Sequence, residues 1–149
     1  MIIDIEKGNL RILVTGGAGF IGGCLVRRLL KTSNASVFNL DKISYASDLS
    51  GINKSPNKQR HTLLEVDLKD FEKTLKAVKQ ADPDIIFHLA AESHVDRSIE
   101  NATPFLQSNI VGTFNILESA RKHFENMELS RKKRFRLLHI STDEVFGSL

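Results

Sequence analysis

Three consecutive residues, Thr142, Asp143 and Glu144, put a hydroxyl beside two carboxylates. Neighbouring carboxylates tend to have split pKa values that leave one of them protonated, so such a pair can supply the acid and the base that an elimination needs. A second cluster, Thr15-Gly16-Gly17-Ala18-Gly19-Phe20-Ile21-Gly22, has glycines at 16, 19 and 22. This G-x-x-G-x-x-G spacing suits a diphosphate: Gly16 permits a tight turn, Gly19 a close backbone approach, and Gly22 close packing of a helix on a sheet. Free amides at the positive helix end favour the anion. Asp41 comes 19 residues after Gly22. A carboxylate there accepts hydrogen bonds from ribose hydroxyls and repels a 2′-phosphate, which favours NAD over NADP.

Weaker signals surround these. Asp67 follows an apolar run and is in position to contact adenine, although a turn aspartate reads the same way. In Leu89-Ala90-Ala91-Glu92-Ser93 the small alanines would let a cofactor lie against the backbone. His88, His94 and His139 lack paired ligand spacing such as His-x-x-x-His, and no metal is expected. Ser141, His139 and Asp143 do not make a hydrolase, because no G-x-S-x-G elbow exists.

Positioning these residues requires alternating strands and helices. Strands are expected at Leu10–Thr15, Val37–Leu40, Leu63–Val66, Ile85–Leu89 (a fully apolar, buried run) and Phe135–Ser141. After the glycine loop, Ile21, Leu25 and Leu29 predict one helix, with Arg27 and Lys31 facing away. Phe71, Leu75 and Val78 predict a second, broken by Asp82-Pro83-Asp84. Thr103, followed by Pro104, is expected to cap a long third helix. Ile110, Phe114 and Leu117 line one face of that helix, and Val111 and Ile116 widen it, so burial by two neighbours is expected. Residues 42–60 read as a long polar loop with room for a short helix. The fold class is α/β, a doubly wound parallel sheet in the order 3-2-1-4-5. Ligands bind such sheets beyond the carboxyl ends of the strands, where Gly16–Gly22, Asp41, Asp67, Ala90–Ser93 and Thr142–Glu144 all fall.

The 149 residues fit one domain, and 41% hydrophobic with 26% charged residues is ordinary for a globular protein. Part of the net charge of +3 comes from Arg131, Lys132, Lys133, Arg134 and Arg136, read as a solvated loop rather than a nucleic-acid contact. The single cysteine, Cys24, excludes an internal disulfide and is compatible with a reducing cytoplasm. No stretch has the length of a membrane span, and the N-terminus lacks a signal-peptide core.

Thr15–Gly22, Asp41-Lys42, His88–Ser98 (HLAAESHVDRS), Asn109–Thr113 (NIVGT) and His139–Gly147 (HISTDEVFG) carry a resemblance over nearly the whole chain. The sequence resembles the extended short-chain dehydrogenases/reductases, most closely the dTDP-glucose 4,6-dehydratases. The resemblance implies a Rossmann fold over 1–149, NAD as cofactor, a nucleotide-sugar substrate such as dTDP-glucose, and a homodimer. In the implied reaction the sugar is oxidised at C4 with its hydride passing to NAD⁺. The C5 proton and the C6 hydroxyl then leave, and the hydride returns to C6. By matching position, Thr142 would hydrogen-bond the sugar near O4, Asp143 would protonate the departing hydroxyl, and Glu144 would take the C5 proton. Phe20, Ile21, Asp41, Lys42, Ile43, Ser44, Asp67, Leu68, Leu89, Ala90, Ala91, Glu92, Ser93 and Ser108 would line the cofactor, with Ser93 also reaching substrate.

Two departures stand out. Phe146 replaces the family's usual tyrosine. The resemblance also implies a Tyr-x-x-x-Lys pair, yet the only tyrosine is Tyr45 and position 49 is Leu. The chain is therefore expected to be an N-terminal five-strand part, ending before the substrate domain and inactive alone. A UDP-glucose 4,6-dehydratase, another sugar-nucleotide epimerase or dehydratase, and a non-catalytic dinucleotide-binding remnant remain as alternatives. Epimerases of the family lack the acidic pair at 143 and 144.

Overall fold

The computed structural model of the chain describes residues 8–147, with the backbone alone for Val95, Asp143 and Glu144. Strand β1 (Arg11–Thr15) has a centre of branched apolar residues, Ile12, Leu13 and Val14, all fully buried. A strand covered on both faces belongs at the centre of a parallel sheet. It pairs with β2 (Ser36–Asp41) on one side and β4 (Ile85–His88) on the other, while β3 (His61–Glu65) and β5 (Arg136–His139) form the edges. All pairs are parallel and the order is β3-β2-β1-β4-β5, as expected.

Two apolar layers flank the sheet. Ile12, Val14 and Val37 pack with Val26 and Leu30 of α1 (Phe20–Thr32) and with Ile52 of α2 (Ser50–Asn53). On the other face Leu13, Leu40 and Ile86 pack with Val78 of α3 (Phe71–Ala81) and Ile116 of α6 (Thr113–Glu125). The polar stretch 42–60 is thus partly ordered, because α2 buries Ile52 completely.

Several expectations need correction. The buried stripe of α1 is Gly22, Gly23, Val26, Leu29 and Leu30; Ile21 is 65% exposed and Leu25 only half-buried. Glycines carry no apolar signal, yet their missing side chains bring the helix onto the sheet. Thr103 is not a cap: it lies inside α5 (Thr103–Phe105), and its amide donates to Asn101 Oδ1. The helix continues through a π-helical segment, Leu106–Gly112, into α6. Its Ile110, Phe114 and Leu117 face is exposed rather than covered twice; Ile116 is buried as expected, and Asn115, Ser119 and Ala120 join it against the core. Gly112 and Asn115 set that orientation: a Cβ on Gly112 would lie 3.1 Å from Leu68 Cβ, and Asn115 Nδ2 donates to Leu68 O at 2.8 Å. A short helix, α4 (Val95–Glu100), was not expected. Nor is β4 wholly apolar, since it ends on His88, which is fully buried.

The basic run is not simply a solvated loop. It opens with α7 (Leu129–Lys132), and Arg131 reaches back to the turn that ends α3. Its guanidinium donates to both Asp82 carboxylate oxygens and to Asp84 Oδ1, each at 2.9 Å. Asp82 itself has a left-handed φ of 43°. Arg11 closes the turn from β1, donating to Ala81 O and Asp82 O, while its amide donates to Asp84 Oδ2.

Candidate functional site

At the carboxyl edge of the sheet β1 runs into the glycine loop. Gly16 has a φ of +70°, and a Cβ there would come within 2.8 Å of the Ala90 backbone. A side chain would therefore be strained twice, by conformation and by contact. Gly22 is equally constrained, because a Cβ would lie 2.1 Å from Gly16 O. These two positions press the start of α1 and the loop after β4 together around one bend.

The start of α1 has no side-chain cap and no acidic residue in its first turn. Helix N-termini leave amides that need an acceptor, and their dipole favours an anion. Beyond Gly16 O at 3.3 Å, and apart from Gly19's own chain neighbours, no described atom lies within 4 Å of the place a Gly19 Cβ would take. Phe20 and Ile21 are exposed beside this opening. The arrangement can hold a diphosphate.

Asp41, at the end of β2, is bonded directly to the loop. Its Oδ2 accepts from Ala18 N at 3.0 Å, and its Oδ1 accepts from Ile43 N at 2.9 Å. Ile43 has a left-handed φ of 50°, and the amide of the next residue, Ser44, donates to Ser47 Oγ. A carboxylate has roughly four lone-pair directions, so Asp41 keeps capacity for further donors such as sugar hydroxyls.

Lys42 turns towards the loop after β4. Its Nζ lies 2.6 Å from Glu92 Oε1 and 3.5 Å from Ser108 Oγ. Asn109, whose role the sequence did not reveal, holds Glu92 by both backbone groups: its Oδ1 accepts from Glu92 N at 2.8 Å and its Nδ2 donates to Glu92 O at 2.9 Å. Ser108 and Asn109 share the π-helical segment, a form often met at functional sites. Depressions of about 380 and 230 Å³ flank Lys42. Tyr45, Arg97 and Phe105 line the first, with the Arg97 guanidinium 4.1 Å above the Tyr45 ring; Asp67 and Ser108 line the second. The Asp67 carboxylate itself faces Lys69, with Oδ1 accepting the Lys69 amide and Oδ2 3.3 Å from its Nζ. Leu68 is buried beneath.

Behind the loop after β4 lies a network that was not expected. Thr15 Oγ1 accepts from Leu89 N and Ala90 N, both at 3.2 Å, and meets His88 Nδ1 at 2.6 Å. His88 Nε2 in turn lies 3.0 Å from Thr113 Oγ1. Burial, and secondarily the neighbouring His139, push the His88 pKa down to about 4, so the ring is neutral. The two imidazoles stack with centroids 4.9 Å apart. Both ring nitrogens of His88 face threonine hydroxyls, which leaves neither for a metal.

Of the acidic triplet, Thr142 is exposed just past β5, and Asp143 and Glu144 begin a 3₁₀ turn, Asp143–Phe146. The carboxylates of both acids lie outside the described residues. Backbone placement alone brings the triplet to the edge that holds loop 89–93, since β5 pairs with β4 and Ile140 N donates to His88 O at 3.0 Å.

Comparison with known proteins agrees with this layout. The family model for GDP-mannose 4,6 dehydratase matches residues 13–149. The chain is 46% identical over 143 residues to a dTDP-glucose 4,6-dehydratase of Neisseria gonorrhoeae, covering 96% of this chain and 41% of that protein. Among solved structures, the dTDP-glucose 4,6-dehydratase of Streptomyces venezuelae with NAD bound superposes with a TM-score of 0.77 at 36% identity, over 93% of this chain and 41% of the other. The UDP-Glc/GlcNAc 4-epimerase of Campylobacter jejuni superposes with a TM-score of 0.76 at 27% identity, over 95% and 39%. The chain thus spans about two fifths of the length of the relatives it matches.

Proposed function

Because this chain belongs to the GDP-mannose 4,6 dehydratase family, we propose that it forms the NAD-binding portion of a nucleotide-sugar 4,6-dehydratase that acts on dTDP-glucose. The observation that carries the reading is the bond from Ala18 N to Asp41 Oδ2, which sets a ribose-binding carboxylate beside the uncapped start of α1. The donor set fits NAD. Unneutralised helix amides suit its diphosphate, and Asp41 suits adenosine hydroxyls while opposing a 2′-phosphate. The cation that follows Asp41, Lys42, is paired with Glu92. When bound, NAD⁺ would supply a reversible hydride acceptor.

The chain's own residues would do the rest. The amides at the start of α1 orient the diphosphate, and Phe20 and Ile21 cover it. Asp41, with Lys42, Ile43 and Ser44, holds the adenosine end; Asp67 and Leu68 flank the base. Leu89, Ala90 and Ala91 offer backbone and little bulk to the reactive end, and Ser93 reaches the sugar. Thr142 would hydrogen-bond O4, Asp143 would give a proton to the departing C6 hydroxyl, and Glu144 would take the C5 proton. No Tyr-x-x-x-Lys pair occurs among the 149 residues. Removal of the C4 hydroxyl proton is therefore assigned to groups in the rest of the relatives' length.

An epimerase would share the fold, but it has no use for the acidic pair at 143 and 144. The remaining assignments are a cytoplasmic location and a homodimer built on the exposed Ile110, Phe114 and Leu117 face; no described helix is long and apolar enough to cross a membrane. The test of the catalytic assignment is 4-keto sugar formation from dTDP-glucose by a protein of the relatives' full length carrying this segment. Asp143→Asn and Glu144→Gln should each lower turnover by about 100-fold or more. Unchanged turnover in both would remove the triplet from the reaction.

A further inference from the structure

We propose that His88 is a positioning residue for cofactor binding: as a neutral ring with its hydrogen on Nε2, it aims the Thr15 hydroxyl so that Thr15 Oγ1 holds the Leu89–Ala90 backbone against Gly16. The inference rests on the NAD reading above and extends it to residues that touch neither cofactor nor substrate.

The protons can be counted. Thr15 Oγ1 has two lone pairs and one hydrogen. The Ala90 amide takes one lone pair at 3.2 Å, and the Leu89 amide, shared with the Thr15 carbonyl at the same distance, takes the other. With both amides held, the hydrogen points at the third neighbour, His88 Nδ1, at 2.6 Å. Nδ1 is then an acceptor, and a neutral imidazole with an accepting Nδ1 carries its hydrogen on Nε2. That hydrogen is received by Thr113 Oγ1 at 3.0 Å. A proton on Nδ1 would leave two donors facing one another and force Thr15 to release an amide.

The held backbone matters because of its neighbour. The Ala90 Cα and N are the atoms a Cβ on Gly16 would strike at 2.8 Å, so the loop lies directly against the glycine turn. Thr15 is the residue before that turn, and His88 is the residue before the loop. One hydrogen-bonded chain therefore spans β1, β4 and α6 and ends against both cofactor-facing segments. Thr15 and His88 are fully buried and Thr113 is half-buried, so water does not compete for the Thr15–His88 bond.

The test separates the two ring nitrogens. In the full chain, His88→Asn offers a carbonyl near the Nδ1 position, whereas His88→Gln offers an amide donor near Nε2 and removes the acceptor for Thr15. Dissociation constants for NAD⁺ should stay within about threefold of the parent in His88→Asn and rise about tenfold in His88→Gln, the loss of one buried hydrogen bond. Should His88→Gln fail to fold, Thr15→Ser and Thr15→Val repeat the contrast, with binding kept in the first and weakened in the second. Nitrogen-15 spectra of the imidazole should show an Nε2–H tautomer that stays neutral at pH 6. Equal binding by parent and His88→Gln, parallel losses in all variants, or an Nδ1–H tautomer would each overturn the inference. Absence of NAD⁺ binding by the parent chain would instead overturn the reading beneath it, and the inference with it.

Discussion

Ala18 N and Asp41 Oδ2 are joined by a hydrogen bond of 3.0 Å, which ties the middle of the glycine loop to the tip of the neighbouring strand. The other oxygen accepts from Ile43 N, so one side chain fixes both the loop and the chain beyond β2. Asp41→Asn keeps one acceptor and loses the charge. NAD⁺ affinity should fall about 10- to 100-fold, the range for hydrogen bonds to a charged group. NADP⁺ should lose less than NAD⁺. Titration of both cofactors checks the ratio, and an equal loss for the two would count against a ribose-reading role.

Gly22→Ala tests the close approach of α1. A methyl group 2.1 Å from Gly16 O cannot be accommodated without moving backbone. Stability should fall by about 2–3 kcal/mol, as for overpacking in a dense core. Urea unfolding measures this, and Gly51→Ala is the contrast, since its nearest neighbour is the flexible Arg27 side chain.

Acid should weaken the fold before its carboxylates titrate. The His88 pKa lies at about 4 in the fold against an ordinary 6.5, and burial lowers His61 as well. Between these pH values the unfolded chain binds more protons, so stability is complete above about pH 6.5 and declines as pH falls towards 4. For His88 alone the loss is on the order of 3 kcal/mol. Melting temperatures from pH 7 to 4.5 should show it, and His88→Asn should flatten the slope.

Arg131 is the tie between α7 and the turn after α3. Arg131→Met keeps its bulk but leaves Asp84, 8% exposed, with the Arg11 amide and one uncompensated charge. A loss of about 1–3 kcal/mol is expected in chemical denaturation. NAD⁺ affinity of the folded fraction should be unchanged, because this turn lies at the opposite end of the sheet from the glycine loop.

Much of this architecture can be read from the residues, and the exceptions have physical causes. The five strands are short apolar runs ended by polar residues, so their order followed from crossover rules. In α1 the apolar count selected Ile21 and Leu25, while the buried stripe runs through Gly22 and Gly23, which contribute by lacking side chains. The π-helical segment has no periodic signature, which hid the orientation of Ser108 and Asn109 and exposed the Phe114 face. At the site, the glycine spacing and Asp41 announced themselves through local sequence. The Thr15–His88 pair did not, because its members are 73 positions apart and a histidine at a strand end looks the same whether it is functional or inert.

Calorimetric titration of NAD⁺ into this chain tests the central claim most directly. Saturable heat with one site per chain, greatly reduced in Asp41→Asn, is the predicted result. A well-folded sample that gives no heat with either NAD⁺ or NADH would contradict it.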